Sequence, residues 1–264
     1  MNSPWKQAIV VGASSGIGEE IARQLSAAGV RVCLVARRED ELKRIVSEMN
    51  NLGVIPSATS NASIGNAIYR AHDVTDIDSA PAIFQDICTE LGGLDAIFYA
   101  SGIMPSFALG EYDIHKEKAI IEINVIGAMS WINLAAERFG RTGAGTIVGI
   151  SSVAGDRGRG GMAGYATSKA GLNTYMEAIR NRVGANGVNV VIVKPGPVRT
   201  PMTATSDVGK LPMIINADEA ARLIISAAAN KKKIAYVPRK WQLVMFIIRT
   251  IPSFLFQRMK NLNS

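Results

Sequence analysis

Five short runs of nearly uninterrupted apolar residues, at 8–11, 30–36, 96–100, 145–150 and 188–193, constrain this chain more than any other feature. A strand with one wet face alternates apolar and polar residues, so continuous runs of this length suit strands covered on both faces. Helix-length segments separate the runs. The first carries Ile21 and Leu25 one turn apart and stops at Gly29. Strand, helix and strand repeated in this order mean right-handed βαβ crossovers. The pattern predicts an α/β fold: a single-domain, doubly wound parallel sheet flanked by helices on both faces. A chain of 264 residues fills one such domain and is short for two.

At 48% apolar and 19% charged residues, the composition argues against disorder. Two cysteines cannot build a disulfide framework, and Cys33, inside the second apolar run, reads as a buried free thiol. A reducing, cytoplasmic setting is expected. The opening residues show no cleavable apolar stretch, and no run of 18 apolar residues offers a membrane span. The net charge of +7 is uneven: residues 231–264 hold eight basic side chains and no acidic one, leaving the first 230 residues at −1. A basic tail on a neutral body argues against nucleic-acid binding, which needs a basic face on the fold. Residues 51–66, rich in Ser, Asn and Gly, look like a surface insertion. The organisation expected is a catalytic domain over 1–240 and an apolar, basic tail over 241–264.

Gly12-Ala13-Ser14-Ser15-Gly16-Ile17-Gly18 lies between the first strand and the first helix. Glycines there allow a tight turn and close approach to a pyrophosphate, and the helix N-terminus supplies free N–H groups. The second strand ends at Ala36-Arg37-Arg38. NAD-selecting folds place an acid near this point to grip the ribose 2′-hydroxyl, whereas two guanidinium groups favour a 2′-phosphate. NADP(H) is therefore expected over NAD(H); the other reading is a solvated helix start with local ion pairs. Tyr165 and Lys169 stand four apart on one helical face. A phenol titrates near pH 10, and a neighbouring cation would lower that value and make the pair a proton donor and acceptor for carbonyl chemistry.

Gly12-x-x-x-Gly16-x-Gly18, Tyr165-x-x-x-Lys169 and Ser152 thirteen residues before Tyr165 together resemble the short-chain dehydrogenase/reductase family. Asp73-Val74, Asn124 and the segment Pro195-Gly196-Pro197-Val198-Arg199-Thr200 extend the likeness over about residues 6–240. The resemblance implies a Rossmann fold and hydride transfer between a nicotinamide and a carbonyl or secondary alcohol. It implies Tyr165 as acid/base, Lys169 on the nicotinamide ribose, Ser152 rather than Ser151 on the substrate oxygen, and Asn124 fixing a water beside Lys169. Cofactor contacts would come from Gly12, Ser14, Ser15, Gly16, Ile17 and Gly18 in the turn, and from Arg37 and Arg38. Asp73 and Val74 would meet the adenine, Ala100, Ser101 and Gly102 would follow the fourth strand, and Pro195, Gly196, Val198 and Thr200 would border the nicotinamide. No metal site is implied. Val11 and Tyr99-Ala100-Ser101-Gly102 depart from the family's usual Thr and Asn-Asn-Ala-Gly, which removes strand-stabilising hydrogen bonds without touching a catalytic group.

Substrate identity is less legible. The loop Asp156-Arg157-Gly158-Arg159-Gly160-Gly161-Met162 is basic, and either arginine is a candidate for a phosphate. Residues 241–259 read equally as an amphipathic membrane-surface segment, a seam with a sister subunit in a homodimer or homotetramer, or a segment docked on its own domain. Together with the basic loop they resemble, more loosely, a branch of the family acting on keto-sugars linked to decaprenyl phosphate. That points to a phosphorylated or lipid-linked keto-sugar at the inner face of a membrane. The alternatives are a short-chain ketone, 3-oxoacyl or steroid-like carbonyl reductase, or a non-catalytic NADP(H)-binding regulator.

Overall fold

The computed structural model describes residues 3–51, 66–108, 110–204 and 213–259. Seven parallel strands form one sheet: β1 (Gln7–Val11), β2 (Arg31–Ala36), β3 (Ala67–Ala71), β4 (Ala96–Tyr99), β5 (Gly145–Ile150), β6 (Val188–Pro195) and, beyond the short pair β7 (Val198–Arg199) and β8 (Ile215–Asn216), β9 (Ile234–Val237). Their order is β3-β2-β1-β4-β5-β6-β9. Alternate residues of the central strands feed opposite cores, which is why their sequence is apolar throughout. Val10, Leu34 and Phe98 face one layer, formed by α1 (Gly16–Ala27), α2 (Glu39–Asn51) and α7 (Ala217–Ala229) with Ile21, Leu25, Ile45 and Ile224. Ile9, Val35 and Ile97 face the other, formed by α3 (Ala80–Leu91), α5 (Gly127–Thr142) and α6 (Ala163–Val183) with Ile87, Trp131, Phe139 and Met176. Each such side chain contributes about 1.5–3 kcal/mol on burial.

β3 and β9 are not among the five apolar runs. Both are edge strands, and β3 has only its first residue buried, so no continuous apolar signal is needed. The helical stretch Ile114–Thr142 is long and apolar enough to cross a membrane, yet half of its most apolar window is buried in the domain, with Trp131, Ile132, Ala135 and Phe139 in the core. It is a core element. α4 (Ile114–Ile121) starts on the Asp113 carboxylate, which accepts from the N–H groups of His115 and Lys116. It runs into α5 through one π-helical turn, Glu122–Ile126. Apart from Asn51 and Asn66, the expected insertion at 51–66 lies outside the described residues.

The tail contains α8 (Lys240–Thr250) and α9 (Ser253–Phe256). Trp241, Met245, Ile248 and Phe256 are buried against Val153, Met213 and Tyr236. The opposite side leaves Leu243 and Phe246 each 66% exposed, with Ile247 and Phe254 beside them. One face of the segment therefore docks on its own domain while the other is left uncovered by the described residues.

Candidate active site

Because every strand of the sheet is parallel, all carboxyl ends open on one edge, and the chain's direction of travel reverses between β1 and β4. A cavity of about 630 Å³ occupies that edge. Every residue expected to touch the cofactor lines it, as do Ser152, Tyr165 and Lys169. Asn124 stands directly behind.

The turn after β1 is shaped by close approach. Gly12 has φ +87°, and a Cβ there would lie 2.4 Å from the Ser101 nitrogen; a Cβ on Gly18 would lie 2.2 Å from the Gly12 carbonyl oxygen. Only glycine lets the turn fold against β4 with the N-terminus of α1 facing the cavity. This cradle fits a pyrophosphate, with Ser14, Ser15 and Ile17 around it. Arg38 folds over the same turn and donates to Ser14 Oγ at 2.9 Å and Ser15 Oγ at 2.7 Å. Arg37 is largely exposed and pairs with Asp73 at 3.7 Å. Burial works against the Asp73 carboxylate, but the N–H and hydroxyl of Thr75, with Arg37, hold its pKa below the usual range. Two cations thus stand at this end of the cavity.

At the other end, α6 carries Tyr165 and Lys169 under the β5 terminus. Lys169 is buried, donates to the Ile150 carbonyl at 3.0 Å, and has its Nζ 5.6 Å from the centre of the Tyr165 ring. Desolvation lowers its pKa to about 8. The ring of Tyr165 borders the cavity but is otherwise enclosed, and desolvation raises the phenol's pKa while the Ser152 hydroxyl pulls it back. The lowered phenol expected from the Tyr/Lys spacing is therefore not what the protein alone shows. Burial is the larger influence and the Ser152 hydrogen bond the smaller. Both serines border the cavity; Ser152 Oγ accepts from the Ala154 N–H, whereas the buried Ser151 Oγ donates to the Lys169 carbonyl.

Asn124 sits in the π-helical turn and is fully buried. Its Nδ2 donates to the Ile103 carbonyl and to Ser168 Oγ, both at 3.0 Å, and its Oδ1 accepts from the Ile103 N–H at 2.8 Å. Its side chain braces the segment after β4 against α6. Tyr99, read from sequence as a loss of hydrogen bonding, donates to the Ile123 carbonyl at 2.9 Å and so ties β4 to the same turn.

Sequence reasoning missed several wall residues. His72 is buried beside Asp73, with Nε2 at 3.0 Å from the Asp76 carbonyl. Trp241, Val244 and Ile248 bring α8 into the cavity wall, and Trp241 Nε1 lies so close to Gly196 that a Cβ there would sit 2.0 Å away. Arg157 is not available for a phosphate. It donates to the carbonyls of Ile248 at 2.8 Å and Ile251 at 2.6 Å, with its guanidinium 4.2 Å from the centre of the Phe256 ring.

Residues 6–210 match the family described as short chain dehydrogenase, and the chain belongs to it. It is an oxidoreductase of a family that uses a nicotinamide cofactor. An uncharacterized oxidoreductase of Mycobacterium tuberculosis is 31% identical over 251 residues, covering 95% of each chain. The cis-4-hydroxycyclohexanecarboxylate dehydrogenase of Sinomonas cyclohexanicum is 30% identical over 231 residues, covering 86% of this chain and 85% of its own. Among solved structures, an actinorhodin polyketide ketoreductase with NADPH has TM-score 0.75 and 25% identity, covering 88% of this chain and 95% of that one.

Proposed function

We propose that the protein is an NADP(H)-dependent reductase that interconverts a carbonyl and a secondary alcohol. The observation that carries this is a single cavity with Arg37 and Arg38 at one end and Ser152, Tyr165 and Lys169 at the other. The cofactor supplies the hydride when bound. The glycine turn and the α1 N-terminus hold its pyrophosphate, and Arg37 and Arg38 leave Asp73 and the turn hydroxyls to meet the 2′-phosphate. The Ser152 hydroxyl donates to the substrate carbonyl oxygen and orients it. Tyr165 delivers its phenolic proton to that oxygen as it becomes an alkoxide. Lys169, held by the Ile150 carbonyl, stabilises the phenolate left behind. Asn124 keeps the floor of the site rigid through Ile103 and Ser168.

Support for NADP(H) comes from the arginine pair and from the NADPH carried by the ketoreductase of like fold. The relative acting on a hydroxycyclohexanecarboxylate supports a ring ketone or its alcohol as the reacting group. A lipid-linked keto-sugar phosphate is the second reading, favoured by the uncovered apolar face of α8 and α9 beside Lys240 and Arg249. The free, buried thiols of Cys33 and Cys88 are compatible with a reducing compartment under either reading. The test is NADPH oxidation against a panel of ketones, ring ketones and keto-sugars, with NADH for comparison. Turnover with NADPH on at least one member supports the reading; cofactor binding with no turnover across the panel supports a binding module instead.

A further inference from the structure

Arg159 has no acidic partner among the described residues. It stands on the loop between β5 and α6, six residues before Tyr165, and its side chain lines the cavity. Its Nε is buried with no hydrogen-bond partner, and no acidic side chain pairs with the guanidinium among the described residues. The acid of the same loop, Asp156, is already engaged by Lys194 and by the Tyr236 hydroxyl. Arg157 is spent on the end of α8. A partly buried, unpaired guanidinium is costly, and burial with nothing to offset it holds the Arg159 pKa below its usual value. Trp241 Nε1, on the same wall, is a second buried donor without an acceptor.

The cofactor's 2′-phosphate does not account for this charge. Arg37 and Arg38 follow β2, and two strands separate β2 from β5, so the sites lie about 14 Å apart across the sheet. The same cavity has Met162, Met213, Val244 and Ile248 in its lining, all apolar. We propose that Arg159 binds an anionic group, a carboxylate or a phosphate, carried by the carbonyl substrate. The apolar wall then takes the carbon skeleton between that anion and the carbonyl at Tyr165. A planar guanidinium fork suits either oxyanion. The proposal rests on the carbonyl-reductase reading for the identity of the ligand as substrate, but the anion site itself is read by binding.

The experiment titrates the NADPH complexes of wild type, Arg159→Met and Arg159→Lys with three probes: 4-oxocyclohexanecarboxylate, its methyl ester, and dihydroxyacetone phosphate. Binding is followed by calorimetry and turnover by NADPH oxidation. Wild type should bind at least one anion about tenfold to a hundredfold more tightly than the ester, the usual worth of a hydrogen bond to a charged group. Arg159→Met should erase that ratio, Arg159→Lys should keep part of it, and NADPH affinity should hold in both. The preferred anion distinguishes a carboxylate from a phosphate substrate. Equal binding of anions and ester by wild type, no binding of either anion, or an unchanged ratio in Arg159→Met would overturn the assignment. Anion binding that Arg159→Met abolishes would keep the anion site even where neither anion is turned over, and the reductase reading is then decided on the wider ketone panel, so the two failures are distinct.

Discussion

Replacing Arg157 by methionine is expected to loosen α8 and α9 from the domain. The guanidinium reaches carbonyls of Ile248 and Ile251 at the C-terminal end of α8, where unpaired acceptors and the negative end of the helix dipole favour a cation. It also stacks on Phe256. Hydrogen bonds from a charged donor, a dipole contact and a cation–π contact together would exceed 3 kcal/mol in a dry site; discounted for partial exposure, about 2 kcal/mol remains. That raises the local opening equilibrium about thirtyfold. Amide hydrogen exchange resolved along the chain should show the increase in 240–256 and little change in α1 or β1. Because Trp241, Val244 and Ile248 line the cavity, KM should rise in parallel. Arg157→Lys keeps a charged donor for these carbonyls but loses the planar stack on Phe256, so it should recover only part. Unchanged exchange across α8 in the methionine variant would refute this account of the tail's seat.

Neutral replacement of Arg37 and Arg38 should weaken NADPH far more than NADH in a fluorescence titration; equal losses would remove their assigned role. Lys169→Met should abolish turnover yet raise the melting temperature at pH 7. A lysine with pKa lowered from 10.5 to about 8 costs the folded state about 3 kcal/mol when charged, offset in part by the Ile150 carbonyl left without its donor. The folded protein sheds this proton before the unfolded chain does, so wild-type stability recovers as pH rises from about 8 to 10.5 and the variant's advantage should vanish there. Phe246→Glu with Phe254→Glu should abolish binding to anionic liposomes without lowering the melting temperature, because both side chains are on the uncovered face. If wild type ignores such liposomes at low salt, the face is not a membrane contact, and loss of oligomer mass in the same variant would assign it to a sister subunit.

The sheet and the cofactor end of the cavity were legible because each depends on short, local patterns. Gly12 to Gly18, Ala36 to Arg38, Asp73-Val74 and Pro195 to Thr200 each follow a strand, and parallel strands bring their ends to one edge. What could not be read depends on long-range contacts. An apolar, basic segment such as 240–256 has the same composition whether it meets lipid or core, and only long-range contacts, the packing of Trp241 and Met245 near Val153 and the Arg157 bonds to carbonyls more than 90 residues away, reveal where one face goes. Arg157 and Arg159 are two residues apart in one glycine-rich loop, yet one caps a helix and the other stands unpaired in the cavity. The π-helical turn at Asn124 has no compositional mark. The raised Tyr165 phenol is not legible either, because spacing shows a nearby cation but not how deeply the ring is buried.

The most direct test of the central claim compares wild type with Tyr165→Phe under single-turnover conditions, on the best ketone or keto-sugar of the panel, with NADPH affinity measured on both. Phenylalanine keeps the ring and leaves Lys169 in place, so NADPH should bind with unchanged affinity. Hydride transfer should fall by about a hundredfold to ten-thousandfold, the usual contribution of a positioned general acid. Hydride transfer within a few-fold of wild type would contradict the account and place the proton donor elsewhere.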